Sequence, residues 1–209
     1  MTGAIDKPDL SSLAGLTQQV YERNALRFDA ERHKVLIERG WIDRFLSHLP
    51  EQGRVLDLGC GAAEPIAAYI ISRGFRLTGV DASMEMLRLA RTRFPQGDWR
   101  LADMRDLELL QAFDGIVGWD SFFHLTPAEQ RQVLPKLAAH LRPNGALMLT
   151  VGPQEGEVAG RVGDDRVYHA SLSPEEYSAI LSGLDIEILD FVPEDPGCGF
   201  HSILLARRR

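Results

Sequence analysis

The sequence predicts an α/β protein, a doubly wound and mostly parallel sheet with helices on both faces. Two observations predict it. From Val55 onward, short apolar runs alternate five times with helical stretches. The last two apolar runs are joined only by Pro193-Glu194-Asp195-Pro196-Gly197-Cys198-Gly199. That connection holds no helix, so it reads as a hairpin and makes one strand antiparallel.

Residues 1–15 are expected to be poorly ordered, and helix begins at Leu16. Val35, Trp41, Ile42, Phe45, Leu46 and Leu49 recur at three- and four-residue spacing, which predicts an amphipathic helix over about 31–49, stopped by Pro50 and Gly53. Val55–Leu58 is the first strand, Pro65–Arg73 a helix with Gly74 past its end, and Arg76–Val80 the second strand. Ser83 caps a helix to Arg93, which Pro95 ends. Trp99–Ala102 is a short strand, followed by a short helix near Asp106–Gln111 and by strand Phe113–Trp119. Thr126-Pro127-Ala128-Glu129 is a capping box that opens a helix to His140. Pro143-Asn144-Gly145 turns the chain into strand Ala146–Val151. A long polar loop is expected over 152–171, then a second capping box at Ser173-Pro174-Glu175-Glu176 with a helix to Leu181, and strands Asp185–Val192 and His201–Ala206.

Composition narrows the function. The 23 basic and 30 acidic side chains give a net charge of −7, which argues against a nucleic-acid partner held by bulk charge. A hydrophobic content of 44% supports a full core, and 209 residues fit one domain: a helical lead-in over 16–50 and a core over 54–206. Two cysteines make no disulfide framework, and Asp6, Lys7, Pro8 and Asp9 stand where the apolar part of an export signal would sit. A reduced, cytoplasmic setting is expected, with no membrane partner. Cys198, His201, Asp195 and His169 are too scattered to read as a metal site, and none is assigned.

Ligands of such sheets bind beyond the carboxyl ends of the strands. The first strand ends in Asp57-Leu58-Gly59-Cys60-Gly61-Ala62-Ala63-Glu64. Its glycines permit a tight turn and close backbone approach to a ligand. Glu64 stands where a dinucleotide fingerprint has its third glycine; it would repel a pyrophosphate but tolerate a ligand with an ammonium group. The second strand ends in Val80-Asp81-Ala82-Ser83, where Asp81 can accept from both hydroxyls of a ribose or serve as a helix N-terminal charge. After the third strand, Asp103 could accept from an adenine amino group with Met104 on the ring, or be a surface carboxylate.

Together these residues resemble the class I S-adenosylmethionine (SAM)-dependent methyltransferases over about Val55–Ala206. Val55–Pro65 is similar to motif I, Val80–Ser83 to the ribose-binding acidic loop and Ala102–Met104 to the adenine loop. Phe113–Leu125 is similar to the fourth-strand motif and Leu141–Leu149 to the turn before the fifth strand. Ala63 and Asn144 are mild departures, both sterically tolerable. Tyr21-Glu22-Arg23-Asn24-Ala25 resembles the tyrosine-containing lead-in helix of small bacterial members, which folds over the cofactor.

The resemblance implies a Rossmann-like seven-stranded sheet of order 3-2-1-4-5-7-6 with strand 7 antiparallel. It implies methyl transfer from SAM to a small-molecule nucleophile, with S-adenosylhomocysteine (SAH) released by a monomer or homodimer. The implied SAM contacts are Tyr21, Asp57, Gly59, Cys60, Gly61, Asp81, Ala82, Met86, Asp103, Met104 and Trp119. Asp120 and His124 follow the fourth strand; His124 is expected to act as general base or to pack beneath the cofactor, and Asp120 to position cofactor or acceptor. Tyr168 and His169 are expected in the acceptor pocket or in an ordinary loop. Trp119, Phe122 and Phe123 would stack on a flat acceptor or belong to the core. Competing readings are a SAM or SAH binding module without catalysis and a nicotinamide-dependent oxidoreductase. A macromolecular acceptor is disfavoured by the charge.

Overall fold

The computed structural model describes residues 10–32 and 34–209. The first nine residues of the expected disordered stretch lie outside the described residues; its remainder is helical, with α1 at Leu10–Ala14. Helix α2 spans Thr17–Glu31 and α3 spans Arg39–Ser47. The single helix expected over 31–49 is therefore replaced by α3 alone. The reason is burial: Val35 and Ile37 are 71% and 52% exposed, so the apolar stripe starts at Ile42 with Phe45 and Leu46.

The central sheet contains β1 (Arg54–Leu58), β2 (Arg76–Asp81), β3 (Asp98–Leu101), β4 (Phe113–Gly118), β5 (Leu141–Val151), β8 (Ile186–Asp195) and β9 (His201–Arg208). Their order is β3-β2-β1-β4-β5-β9-β8, with β9 antiparallel to both neighbours. This is the expected order once the last two strands are counted in the chain. β5 starts earlier than expected, because Leu141 pairs with Phe113 and a bulge at 142–145 precedes the regular pairing from Ala146.

The strands alternate between two cores, as a sheet covered on both faces requires. Val55, Val117, Met148, Ile203 and Leu205 face α3 and α4 (Ile66–Ser72). Leu56, Ile116, Leu147, Leu149 and Leu204 face α6 (Pro127–His140) and α7 (Pro174–Ser182). Phe122 is fully buried in that second core, so it is a packing residue. Both faces of Thr126 act as predicted: its side chain accepts from the Glu129 N–H and Glu129 reaches back to the Thr126 N–H. At α7 only half of the expected box forms, since Ser173 caps Glu176 while the Glu176 carboxylate pairs with Arg131. The short helix expected near 106–111 is a single 3-10 turn at Met104–Asp106.

The expected polar loop over 152–171 is instead a two-stranded ribbon, β6 (Gly156–Val162) paired with β7 (Asp165–Ser171). Gly163 and Asp164 form its turn, with Gly163 left-handed at φ +57°. A Gly-Asp pair between short alternating runs is a hairpin signal, masked here by high polarity. The ribbon lies over α2: Val20, Val162 and Val167 pack together, and Arg23, Asn24 and Arg27 bind Asp165 and Asp164.

Candidate active site

One cavity opens at the carboxyl ends of β1, β2 and β4. Gly59 (φ +78°) and Gly61 (φ +52°) turn the chain after β1. A Cβ on Gly59 would lie 2.4 Å from the Cβ of Ser121, so the turn nests on the loop after β4. A Cβ on Gly61 would meet nothing within 4 Å, and Gly61 lines the cavity; the space above it is room for a ligand. The Cys60 side chain turns away into a cluster with Trp99 and Ala63, and burial pushes its thiol pKa well up. Cys60 therefore offers the site only its backbone.

Asp81 joins two loops. Its Oδ2 accepts from the Gly61 N–H and its Oδ1 from the Ser83 N–H, both at 2.8 Å. Asp57 is 4% exposed and lines the same cavity, and its carboxylate has no hydrogen-bond partner among the described residues. Burial raises its carboxyl pKa to about 7, against the pull of Arg32. Asp103 also lines the cavity, but the Arg105 guanidinium grips its carboxylate, with Nη2 to Oδ2 at 2.6 Å. Any adenine amino group must share it.

Helix α2 closes the cavity from above. Gln18 donates to the Ala82 carbonyl at 2.8 Å. Glu22 accepts from the Ser83 hydroxyl at 2.6 Å and from the Glu85 N–H, at the start of α5 (Met84–Arg93). Met86 of α5 packs beneath α2 against Ala25, Tyr21 and Phe28. Glu64 pairs with Lys34 and Arg93, so its charge ties α2's exit to the glycine turn and no longer bears on ligand choice.

At the β4 end, the Tyr21 hydroxyl meets His124 Nε2 at 2.9 Å, and His124 Nδ1 meets the Tyr168 carbonyl at 2.8 Å. A carbonyl only accepts, so Nδ1 carries the proton and Nε2 accepts from Tyr21. Burial lowers the His124 pKa to about 4. Both ring nitrogens are engaged, and His124 is a neutral clamp on Tyr21. Tyr168 contributes that carbonyl alone, since its side chain is buried against Glu157 outside the cavity. His169 and Phe123 stack around the His124 ring at 4.9 and 4.8 Å, behind the cavity wall.

Sequence reasoning missed Arg32 and the use made of His201. Asp120 has a left-handed backbone (φ +52°), and its Oδ1 meets His201 Nε2 at 2.8 Å. His201 Nδ1 meets the Cys198 carbonyl at 2.7 Å. Both ring nitrogens thus face acceptors, which makes His201 an imidazolium; the Asp120 bond raises its pKa against burial. Burial pushes the Asp120 carboxyl up, but the His201 bond and charge outweigh it and hold it below the usual range. Arg32 Nη2 lies 3.7 Å from the other oxygen of Asp120. The Trp119 ring lines the cavity and packs on His201 at 5.3 Å. Among the described residues no three His, Cys, Asp or Glu side chains group to hold a metal, and no helix is long and apolar enough to cross a membrane.

Residues 55–145 match the family model of a methyltransferase domain. A trans-aconitate 2-methyltransferase of an Azoarcus species is 34% identical over 116 residues, 54% of this chain and 45% of that protein. A dTDP-3-amino-3,6-dideoxy-alpha-D-glucopyranose N,N-dimethyltransferase of Streptomyces fradiae is 32% identical over 104 residues, 49% and 40% of the two chains. The match thus spans less than half the length of these curated relatives. The SAM-bound structure of CalS10, an amino pentose methyltransferase from Micromonospora echinaspora, superposes with a TM-score of 0.69 at 22% identity, covering 91% of this chain and 97% of that one. The matched segment, 91 of the 209 residues, is thus similar to a methyltransferase domain, and the sheet has the strand order that the resemblance implies.

Proposed function

We propose that the protein transfers the methyl group of SAM to a small-molecule nucleophile and releases SAH. The carrying observation is the unpartnered Asp57 carboxylate facing the same cavity as Asp81 and the open space over Gly61. Asp57, Asp81 and Asp120 make this cavity suited to a sulfonium with an ammonium group and hostile to the pyrophosphate of a nicotinamide dinucleotide. Asp81 keeps lone pairs for two ribose hydroxyls, and Asp57 with the Gly59 carbonyl suits the ammonium. Arg32 lines the cavity beside Asp120 and suits the methionine carboxylate; the other lining arginine, Arg105, is already bound to Asp103. Met104 and Ala82 flank the base and the ribose.

SAM supplies an electrophilic methyl group. The chain supplies alignment and a covered site, with Tyr21 fixed by His124 and Trp119 walling the acceptor side. The substrates of the relatives and of the superposed enzyme, an organic acid and amino sugars, support a small-molecule acceptor. Calorimetric titration tests the reading: SAM and SAH should bind one per chain, and an acceptor screen should yield SAH. Binding of nicotinamide dinucleotides in their place would overturn it. SAH binding without turnover on any acceptor would identify a binding module.

A further inference from the structure

We infer that the acceptor is a primary or secondary amine whose N–H is held by the free oxygen of Asp120, with His201 as the fixed counter-ion behind it. The inference rests on the SAM reading above and concerns only the acceptor half of the cavity.

The donor and acceptor inventory of that half carries it. His201 gives one N–H to Asp120 Oδ1 and the other to the Cys198 carbonyl, so it has none left for a ligand. The Tyr21 hydroxyl gives its proton to His124 Nε2 and presents only lone pairs. Asp120 Oδ2 has no hydrogen bond among the described residues, and Arg32 stands 3.7 Å away. With Arg32 engaged by the methionine carboxylate, this part of the wall offers the Asp120 carboxylate and the Tyr21 lone pairs as acceptors, and the neutral Trp119 indole N–H as its donor. A ligand that brings N–H groups satisfies the free Asp120 oxygen; a ligand that brings a carboxylate or a thiolate sets a like charge against it.

The want of a base points the same way. His124 is neutral, already accepts from Tyr21, and burial holds its pKa near 4. It is too weak and too engaged to deprotonate a hydroxyl. A neutral amine needs no base to attack. Its nitrogen lone pair forms the C–N bond while the C–S bond breaks with its pair left on sulfur. The alkylated ammonium that results then sheds one proton to water. Asp120 is faced by the charged Arg32 and His201, by His124 and His169, whose pKa values burial lowers, and by Glu38, whose carboxyl pKa burial raises against the charge of Arg32.

The test needs no knowledge of the natural acceptor. Protein saturated with SAH is titrated with ammonium probes from ethylammonium to benzylammonium, with the carboxylates propionate to benzoate and with benzyltrimethylammonium, which has no N–H. Nuclear magnetic resonance of the Trp119 indole and the His201 ring reads occupancy. At least one primary ammonium should bind about tenfold or more tightly than its matched carboxylate, with benzyltrimethylammonium weaker than benzylammonium. Asp120→Asn should remove about tenfold of the ammonium affinity and return the His201 titration toward its ordinary range. Equal or tighter carboxylate binding overturns the inference, as does failure of every ammonium probe on SAH-loaded protein. The wild-type comparison decides even if the variant does not fold. Failure of SAH itself to bind is a different result, which removes the SAM reading and not the acceptor argument alone.

Discussion

At the scale of single residues, the cavity's behaviour turns on carboxylates held in different states. Asp81 is fixed by two backbone N–H groups, so its remaining lone pairs are preoriented. Two charge-assisted bonds to a ribose are worth about 1.5–3 kcal/mol each, and Asp81→Ala should weaken SAM binding at least about tenfold by calorimetry. Unchanged affinity would remove the ribose role. Burial raises the carboxyl pKa of both, but Asp57 has no N–H partner to oppose it. Its folded pKa is raised from 3.8 to about 7, so the native state holds the proton more tightly than the unfolded chain. Its contribution to stability therefore falls as pH rises from about 4 to about 7 and is level beyond. An ammonium ligand needs the ionised form, so SAM affinity should rise with pH up to about 7, by at most about tenfold per unit, with proton release at pH 6. Asp57→Asn should flatten that slope; a slope that persists would belong to another group. Asp57, Asp81 and Asp120 are readable in the sequence because each lies in the last residues of a strand or just beyond it, beside the glycine turn or a helix start. Arg32 and His201 are not, because only folding brings residues 32, 120 and 201 together. His124 is readable by position, but its protonation depends on a carbonyl from a strand that sequence polarity concealed.

At the scale of elements, the parallel half of the sheet is legible because its strands are buried on both faces and spell continuous apolar runs. The β6–β7 ribbon is not, because one side faces solvent and its glycines resemble a loop. Yet one of those glycines has a packing role. A Cβ on Gly160 would lie 2.3 Å from the His169 ring, which itself stacks on Phe123 and His124. Gly160→Ala must rotate that ring or lift β6. The expected cost is about 1–3 kcal/mol, read as a lower thermal midpoint, together with a shift of the His124 ring resonance. A variant as stable as the parent with His124 undisturbed would show that the ribbon does not brace the clamp. The 31–49 segment carries the converse lesson: its apolar spacing is helical throughout, but Val35 and Ile37 find no partner to bury them, and spacing without burial makes no helix here.

At the scale of the whole molecule, the two cores and the cover over the cavity are held by different forces. Strands β1, β4, β5 and β9 are secured by fully buried aliphatic side chains on both faces. The cover, α2 with β6 and β7, meets the sheet and α5 through polar contacts, Gln18 to Ala82, Glu22 to Ser83 and Glu85, and Tyr21 to His124, and through one small apolar cluster of Ala25, Tyr21 and Phe28 with Ala62 and Met86. Its own apolar cluster is small, Val20, Val162 and Val167 with Tyr21 and Phe28 against it. These contacts are few beside those of the two sheet cores, so local opening of this cover should precede global unfolding. A ligand in the cavity touches both parts and should stabilise the cover most. Hydrogen exchange at 17–31 and 156–171 should slow on SAH addition while the ends of β8 and β9 away from His201, residues 186–188 and 206–208, change least. The thermal midpoint should rise by an amount matching about 2.7 kcal/mol at a hundredfold excess over Kd. Uniform slowing across all strands, or none in α2, would mean that the cover is part of the rigid body and that ligand entry needs another route.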